Sequence, residues 1–130
     1  MGIKFDFDWE ITSRVREIVN TLGLAHVKVD RLVCMRSRDS KARGTIARCY
    51  ALSKIWQKAL NVKAHYIIEI ISERFDRLSK EDQDKTLIHE LLHVPKSFGG
   101  GFKHHGNWVT RGRVDACYME YVKRKEINQL

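Results

Sequence analysis

Apolar residues recur along this chain at two periods, one near three and a half residues and one near two, and the switch between them divides it into elements. From Trp9 to Leu22, the residues Ile11, Val15, Ile18, Val19 and Leu22 fall at helical spacing and Gly23 follows, which predicts a first helix closed by that glycine. Val27, Val29 and then Leu32-Val33-Cys34-Met35 read as a first strand, broken by a charged loop from Arg36 to Gly44. Thr45 to Leu52 reads as a second strand and Ala64 to Ile71 as a third. The run Tyr66-Ile67-Ile68-Glu69-Ile70-Ile71 predicts a covered position in the sheet. Ile55 to Leu60, between those two strands, fits a short turn or helix.

A second long helix is expected to start at Ser79, where Glu81, Asp82 and Asp84 complement the positive end of a helix dipole. Leu87, Ile88, Leu91, Leu92 and Val94 supply its apolar positions, and Pro95 stops the pattern. Val109 to Asn128 carries Val114, Cys117, Tyr118, Tyr121 and Val122 at helical spacing, so a closing helix is expected. The fold class that follows is α+β: a small mixed sheet with flanking N- and C-terminal helices. The acidic, aromatic start Phe5-Asp6-Phe7-Asp8-Trp9 reads as a tail packed on the core, with a segment lying in a cleft as the other option.

At 130 residues the chain is expected to form a single domain spanning 1–130, burying about two thirds of its unfolded surface. No stretch of about 20 apolar residues is present to cross a membrane, and no long apolar run follows a basic start. Cys34, Cys49 and Cys117 are odd in number and unpatterned, which points to a reducing, cytoplasmic setting. The balance of 24 basic against 16 acidic residues gives a net charge of +8. Arg36, Arg38, Lys41, Arg43 and Arg48 form one basic cluster, and Arg111, Arg113, Lys123, Arg124 and Lys125 another, so nucleic acid is a candidate partner.

The chemistry concentrates in Leu87-Ile88-His89-Glu90-Leu91-Leu92-His93, which contains the HExxH pattern. On a helix, His89 and His93 project from one face about one turn apart, so both imidazoles can reach one metal ion. Glu90 points about 100° further round, where a carboxylate is placed to act as a general base toward a water at the metal. A catalytic zinc site usually takes a third protein ligand. Beyond Pro95, three consecutive glycines, Gly99 to Gly101, permit backbone angles closed to other residues and allow the loop carrying His104 and His105 to fold back.

HELLH, a glycine-containing loop, then His-Gly with an aromatic shortly after: this arrangement resembles the zincin metallopeptidases, above all the small phage and archaeal metallopeptidases and their SprT-like relatives. The resemblance extends back to Ala47–Gln57 and the Ile67–Ile71 run. It implies a minimal zincin-like domain with an active-site HExxH helix. It further implies zinc held by His89, His93 and His105, with Trp108 in the aromatic position. Peptide bonds would be hydrolysed through a zinc-activated water, Glu90 serving as base.

The chain departs from SprT-like proteins in lacking a CxxC zinc ribbon, and from metzincins in having Gly99 and Lys103 where a close third histidine would stand. Minimal gluzincins recruit a glutamate from a downstream helix, so Asp115 and Glu120 remain alternatives to His105, as does His104. Tyr118, Tyr121, Arg113 and His104 are all candidates to steady an oxyanion. The expected partner is a peptide or protein substrate. The alternative is a basic, nucleic-acid-associated protein whose zinc is structural or serves DNA-linked protein processing, without peptidase activity of its own.

Overall fold

The computed structural model describes residues 2–130. Its elements run β1 (Lys4–Phe7), α1 (Trp9–Leu22), a 3-10 turn (Val29–Arg31), β2 (Leu32–Arg38), β3 (Ala47–Ala51), α2 (Lys54–Leu60), β4 (Tyr66–Ile71), α3 (Ser72–Phe75), α4 (Lys80–Leu92) and α5 (Arg111–Asn128). The strands form one sheet in the order β1-β2-β4-β3. β2 and β4 are parallel at its centre, and β1 and β3 flank them antiparallel as the two edges. This is the expected α+β fold with a small mixed sheet between terminal helices.

Alternation sorts the central strands into two faces. Leu32 and Cys34 on β2, with Tyr66, Ile68 and Ile70 on β4, are buried in one core with Ile11, Val15 and Ile18 of α1 and Leu87, Ile88 and Leu91 of α4. The core extends to Val114 and Tyr121 of α5. Polar contacts fix the helices over it. The buried Asp84 of α4 accepts from Arg14 Nη2 of α1 at 2.8 Å, and Gln83 accepts from Arg14 Nη1 at 2.9 Å.

The long helices begin at side-chain caps. Asp8 accepts from the Ile11 amide at 2.9 Å ahead of α1, and Ser79 accepts from the Asp82 amide at 3.2 Å ahead of α4. Gly23 closes α1 in the left-handed region, at φ 66.

Three local expectations are corrected. The charged segment from Arg36 does not break the strand, because β2 runs through Arg36-Ser37-Arg38. Arg36 fits there since its guanidinium donates to Asp8 Oδ2 at 2.8 Å, Ser72 Oγ at 3.0 Å and Asp76 Oδ2 at 2.7 Å. Val27 and Val29 precede the strand in a turn and a 3-10 helix. Residues 4–7 form an edge strand rather than a tail, at the opposite side of the sheet from β3. One helical turn, α3, follows β4 directly. The 55–60 stretch is a helix, α2, with no buried residue.

The basic clusters are also partly neutralised: Arg36 by Asp8 and Asp76, Arg124 by Glu120 at 2.8 Å, and Lys125 by Glu17 at 3.1 Å. No helix among the described residues is long and apolar enough to cross a membrane.

Asp8 joins three elements, since it caps α1 and holds Arg36, which in turn holds α3. Burial would raise its carboxyl pKa, but the Ile11 amide and the Arg36 guanidinium outweigh it and hold the pKa below the ordinary value. A depressed folded-state pKa contributes stability above the unfolded value of about 3.9, and that stability is lost as pH falls through the folded value. Asp8→Ala should cost about 1–2 kcal/mol near neutral pH. In urea melts from pH 7 down to pH 3, the gap to wild type should narrow at the acid end; a gap independent of pH would refute this role.

Candidate metal centre

His89 lies in the last turn of α4 and His93 is its C-cap residue, at φ −72 and ψ −17. Because that conformation continues the right-handed turn, the four-residue relation survives the helix end, and the two ring centroids are 5.1 Å apart. A loop residue then takes hold of His93 twice. The Lys103 amide donates to the His93 carbonyl at 2.7 Å, and His93 Nδ1 donates to the Lys103 carbonyl. A carbonyl only accepts, so Nδ1 carries the proton and Nε2 is left with its lone pair exposed to a metal.

His105 stands two residues beyond that clamp. Its Nε2 is 3.0 Å from His89 Nε2, and its ring centroid is 4.8 Å from that of His93. One ligand-capable atom from each of His89, His93 and His105 lies within 4.8 Å of the others, and among the described residues no other His, Cys, Asp or Glu trio does so. Two nitrogens bound to one tetrahedral ion at about 2.0–2.1 Å stand about 3.4 Å apart, so the spacing fits a shared metal.

The glycine loop is tied down by residues that sequence reasoning did not single out. Tyr66 Oη donates to the Gly101 carbonyl at 2.6 Å and accepts from the Gly100 amide at 3.1 Å. Gln57 Nε2 donates to the Leu52 carbonyl at 2.8 Å and the Gly99 carbonyl at 3.0 Å. The one hint in the sequence was a tyrosine opening an isoleucine-rich strand; Gln57 gave none. Phe102 stacks on the His93 ring, with centroids 4.5 Å apart and planes 10° from parallel.

Glu90 is buried, with Oε2 3.9 Å from His89 Nε2, and burial pushes its carboxyl up to about 7. Burial, reinforced by His93 and His105, pushes His89 down to about 4. Burial also lowers His93, against the Lys103 bond that raises it. Neutral imidazoles are the form that binds metal.

Two adjoining hollows meet at this cluster, of about 720 Å³ and about 510 Å³, and both are lined by His89, Glu90, His105 and Ala47 of β3. The first runs on past Thr45 toward Arg111 and Asp115, the second past Cys49 and Tyr50 toward Phe102 and His104. β3 presents its unpaired edge beside them.

A family model described as putative phage metallopeptidase matches residues 7–124. The chain belongs to that family. No curated protein and no solved structure matches it. Membership of this metallopeptidase family implies a metal and a peptide or protein substrate, and the matched span contains the three histidines and Glu90.

The remaining candidates stand apart from the trio. His104 lines the second hollow and sits edge-on to Phe102, 5.2 Å between centroids. Asp115 pairs with Lys85 at 3.2 Å, and Glu120 with Arg124 at 2.8 Å. Of the four candidates for an oxyanion partner, His104 alone lines either hollow. Tyr118 lies beneath Lys85, Tyr121 is buried in the core, and Arg113 stacks on Trp108 at 3.9 Å.

The three loop glycines are not equivalent. Gly100 has φ +103, and a Cβ there would lie 2.6 Å from the Leu52 carbonyl oxygen and collide with the Gln57 amide, whereas one on Gly101 meets only Pro95 Cγ at 3.7 Å. Gly100→Ala should therefore cost about 2 kcal/mol or more and weaken metal binding, with Gly101→Ala within about 0.5 kcal/mol of wild type. Thermal melts and chelator competition on both variants test this; equal behaviour of the two would contradict it.

Proposed function

We propose that this chain is a zinc-dependent peptidase in which His89, His93 and His105 hold the metal and Glu90 carries the proton. The observation that supports it most is the convergence of three imidazoles, one oriented by the Lys103 carbonyl, beside a buried glutamate at an open sheet edge. Three nitrogen donors without a fourth protein ligand is the donor set of catalytic zinc sites; structural sites usually complete four, often with cysteine. Cys49 lines the second hollow but stands outside the ligand group.

When bound, zinc would supply Lewis acidity to the scissile carbonyl and to the attacking water. Glu90 takes a proton from that water and returns it to the leaving amine, and burial raises its carboxyl pKa toward that of a group able to do both. The free edge of β3, Ala47–Ala51, offers backbone amides and carbonyls to an extended peptide, which joins the sheet as a further strand and lies across the histidines. Phe102 packs on His93 and, with the Lys103 bond, fixes the ring plane.

Elemental analysis and cleavage of an unfolded protein test the assignment. Wild type should carry one zinc per chain. Glu90→Gln should keep the zinc and lose about 10²–10⁴-fold in cleavage rate. His105→Ala should bind zinc at least about 100-fold more weakly. A wild-type protein that takes up no zinc, or a Glu90→Gln variant that cleaves normally, would overturn the reading.

A further inference from the structure

The sheet has a second edge, and it faces away from the histidines. Among the described residues β1 pairs only with β2, so the outer side of Lys4–Phe7 carries unpaired backbone groups. All four residues are exposed. Edges are ordinarily protected by bulges, prolines, covering loops, shortness or charged side chains; among the described residues β1 has no proline, its four residues are left exposed, and its protection rests on its four-residue length and on Lys4 and Asp6. Its side chains also divide cleanly. Lys4 and Asp6 lie on the face shared with Arg36 and Arg38, while Phe5 and Phe7 lie on the other, where Phe7 stacks on Trp9 at 5.2 Å. Phe5 is 55% exposed and Phe7 62%.

We propose that this edge pairs antiparallel with β1 of a second copy of the chain. The register follows from charge. Registers that keep both phenylalanine rows on one face must oppose residues of like parity, since a one-residue slip would put phenylalanine against aspartate. Of the three such registers centred on Lys4, Phe5 or Asp6, one opposes Lys4 with its own copy and one opposes Asp6 with its own copy. The third centres on Phe5 against Phe5, with Lys4 opposite Asp6 of the second copy twice over and Ile3 opposite Phe7.

Like charges directly across a strand pair repel, and opposite charges attract, so only the third is self-complementary. Within one chain, Lys4 stands directly across from the like-charged Arg38, and Asp6 reaches Arg38 only at 3.9 Å. Pairing with the second copy supplies Lys4 with the carboxylate that its own strand partner lacks.

A twofold axis then runs through Phe5, the pairing is closed, and the result is one eight-stranded sheet with the two histidine clusters at its far ends, each beside a free β3. The paired strand is short, so the dimer should be weak and should dissociate on dilution.

Sedimentation velocity across a wide concentration range tests this with charge-swapped chains at exposed positions remote from the metal ligands. Wild type should show a concentration-dependent monomer–dimer equilibrium. Asp6→Lys sets lysine against lysine and Lys4→Asp sets aspartate against aspartate, so each alone should weaken association at least about tenfold. An equimolar mixture of the two variants should form heterodimers, and the double variant Lys4→Asp/Asp6→Lys should dimerise like wild type. A strictly monomeric wild type overturns the proposal. So does a dimer indifferent to all four charge patterns, which would place the contact on the open sheet face around Phe7 and Ile67. Zinc content and circular dichroism should be unchanged throughout, which separates this outcome from that of the metal assignment.

Discussion

Helix α4 ends just before its second histidine, and the paired hydrogen bonds between His93 and Lys103 decide where the chain goes next. One bond joins the two backbones at 2.7 Å; the other joins the imidazole to the loop carbonyl. Together they turn a helix terminus, where carbonyls normally lack partners, into the anchor of a return loop. The same bonds fix the tautomer of His93 and bring His105 Nε2 to 3.0 Å from His89. Without the clamp, His89 and His93 would remain a two-pronged ligand on a helix, and the third imidazole would have no reason to be near.

The rest of the fold supports that loop from below and behind. Tyr66, at the start of the buried central strand, bonds both Gly100 and Gly101, so the loop is registered against the sheet. Arg14 holds α1 to the first turns of α4, and Arg36 holds the start of α1 and the short helix α3 to β2. These partly buried pairs make position rather than bulk stability their main contribution, since burying charges costs desolvation that partners only offset. The sheet therefore has two different edges: β3 shares its hollows with the histidines, and β1 lies at the far side.

Much of this was legible in the order of residues. The capping signal at Ser79, the glycine after α1 and the proline after Val94 act within a turn of where they stand, so the helices fall close to where periodicity puts them. HELLH is equally local, because a four-residue spacing on a helix needs no tertiary information.

What sequence obscured depends on distant partners. Arg36 reads as a loop residue until Asp8, Ser72 and Asp76 converge on it. Phe5-Asp6-Phe7 reads as a tail until β2 offers an edge. Tyr66 reads as one more strand residue, because nothing local says that its hydroxyl meets a loop 34 residues away. The third imidazole lay between: the glycines and paired histidines were visible, but the choice of His105 over His104 came from resemblance, and the structure brings His105, not His104, to His89 and His93.

The central claim is that three imidazoles share one ion and leave room for chemistry. X-ray absorption spectroscopy of the zinc-loaded protein tests it most directly. The account predicts three imidazole nitrogens and at least one oxygen at about 2.0–2.2 Å, with no sulfur. A fourth imidazole, a zinc–sulfur distance near about 2.3 Å or an all-oxygen shell would contradict it.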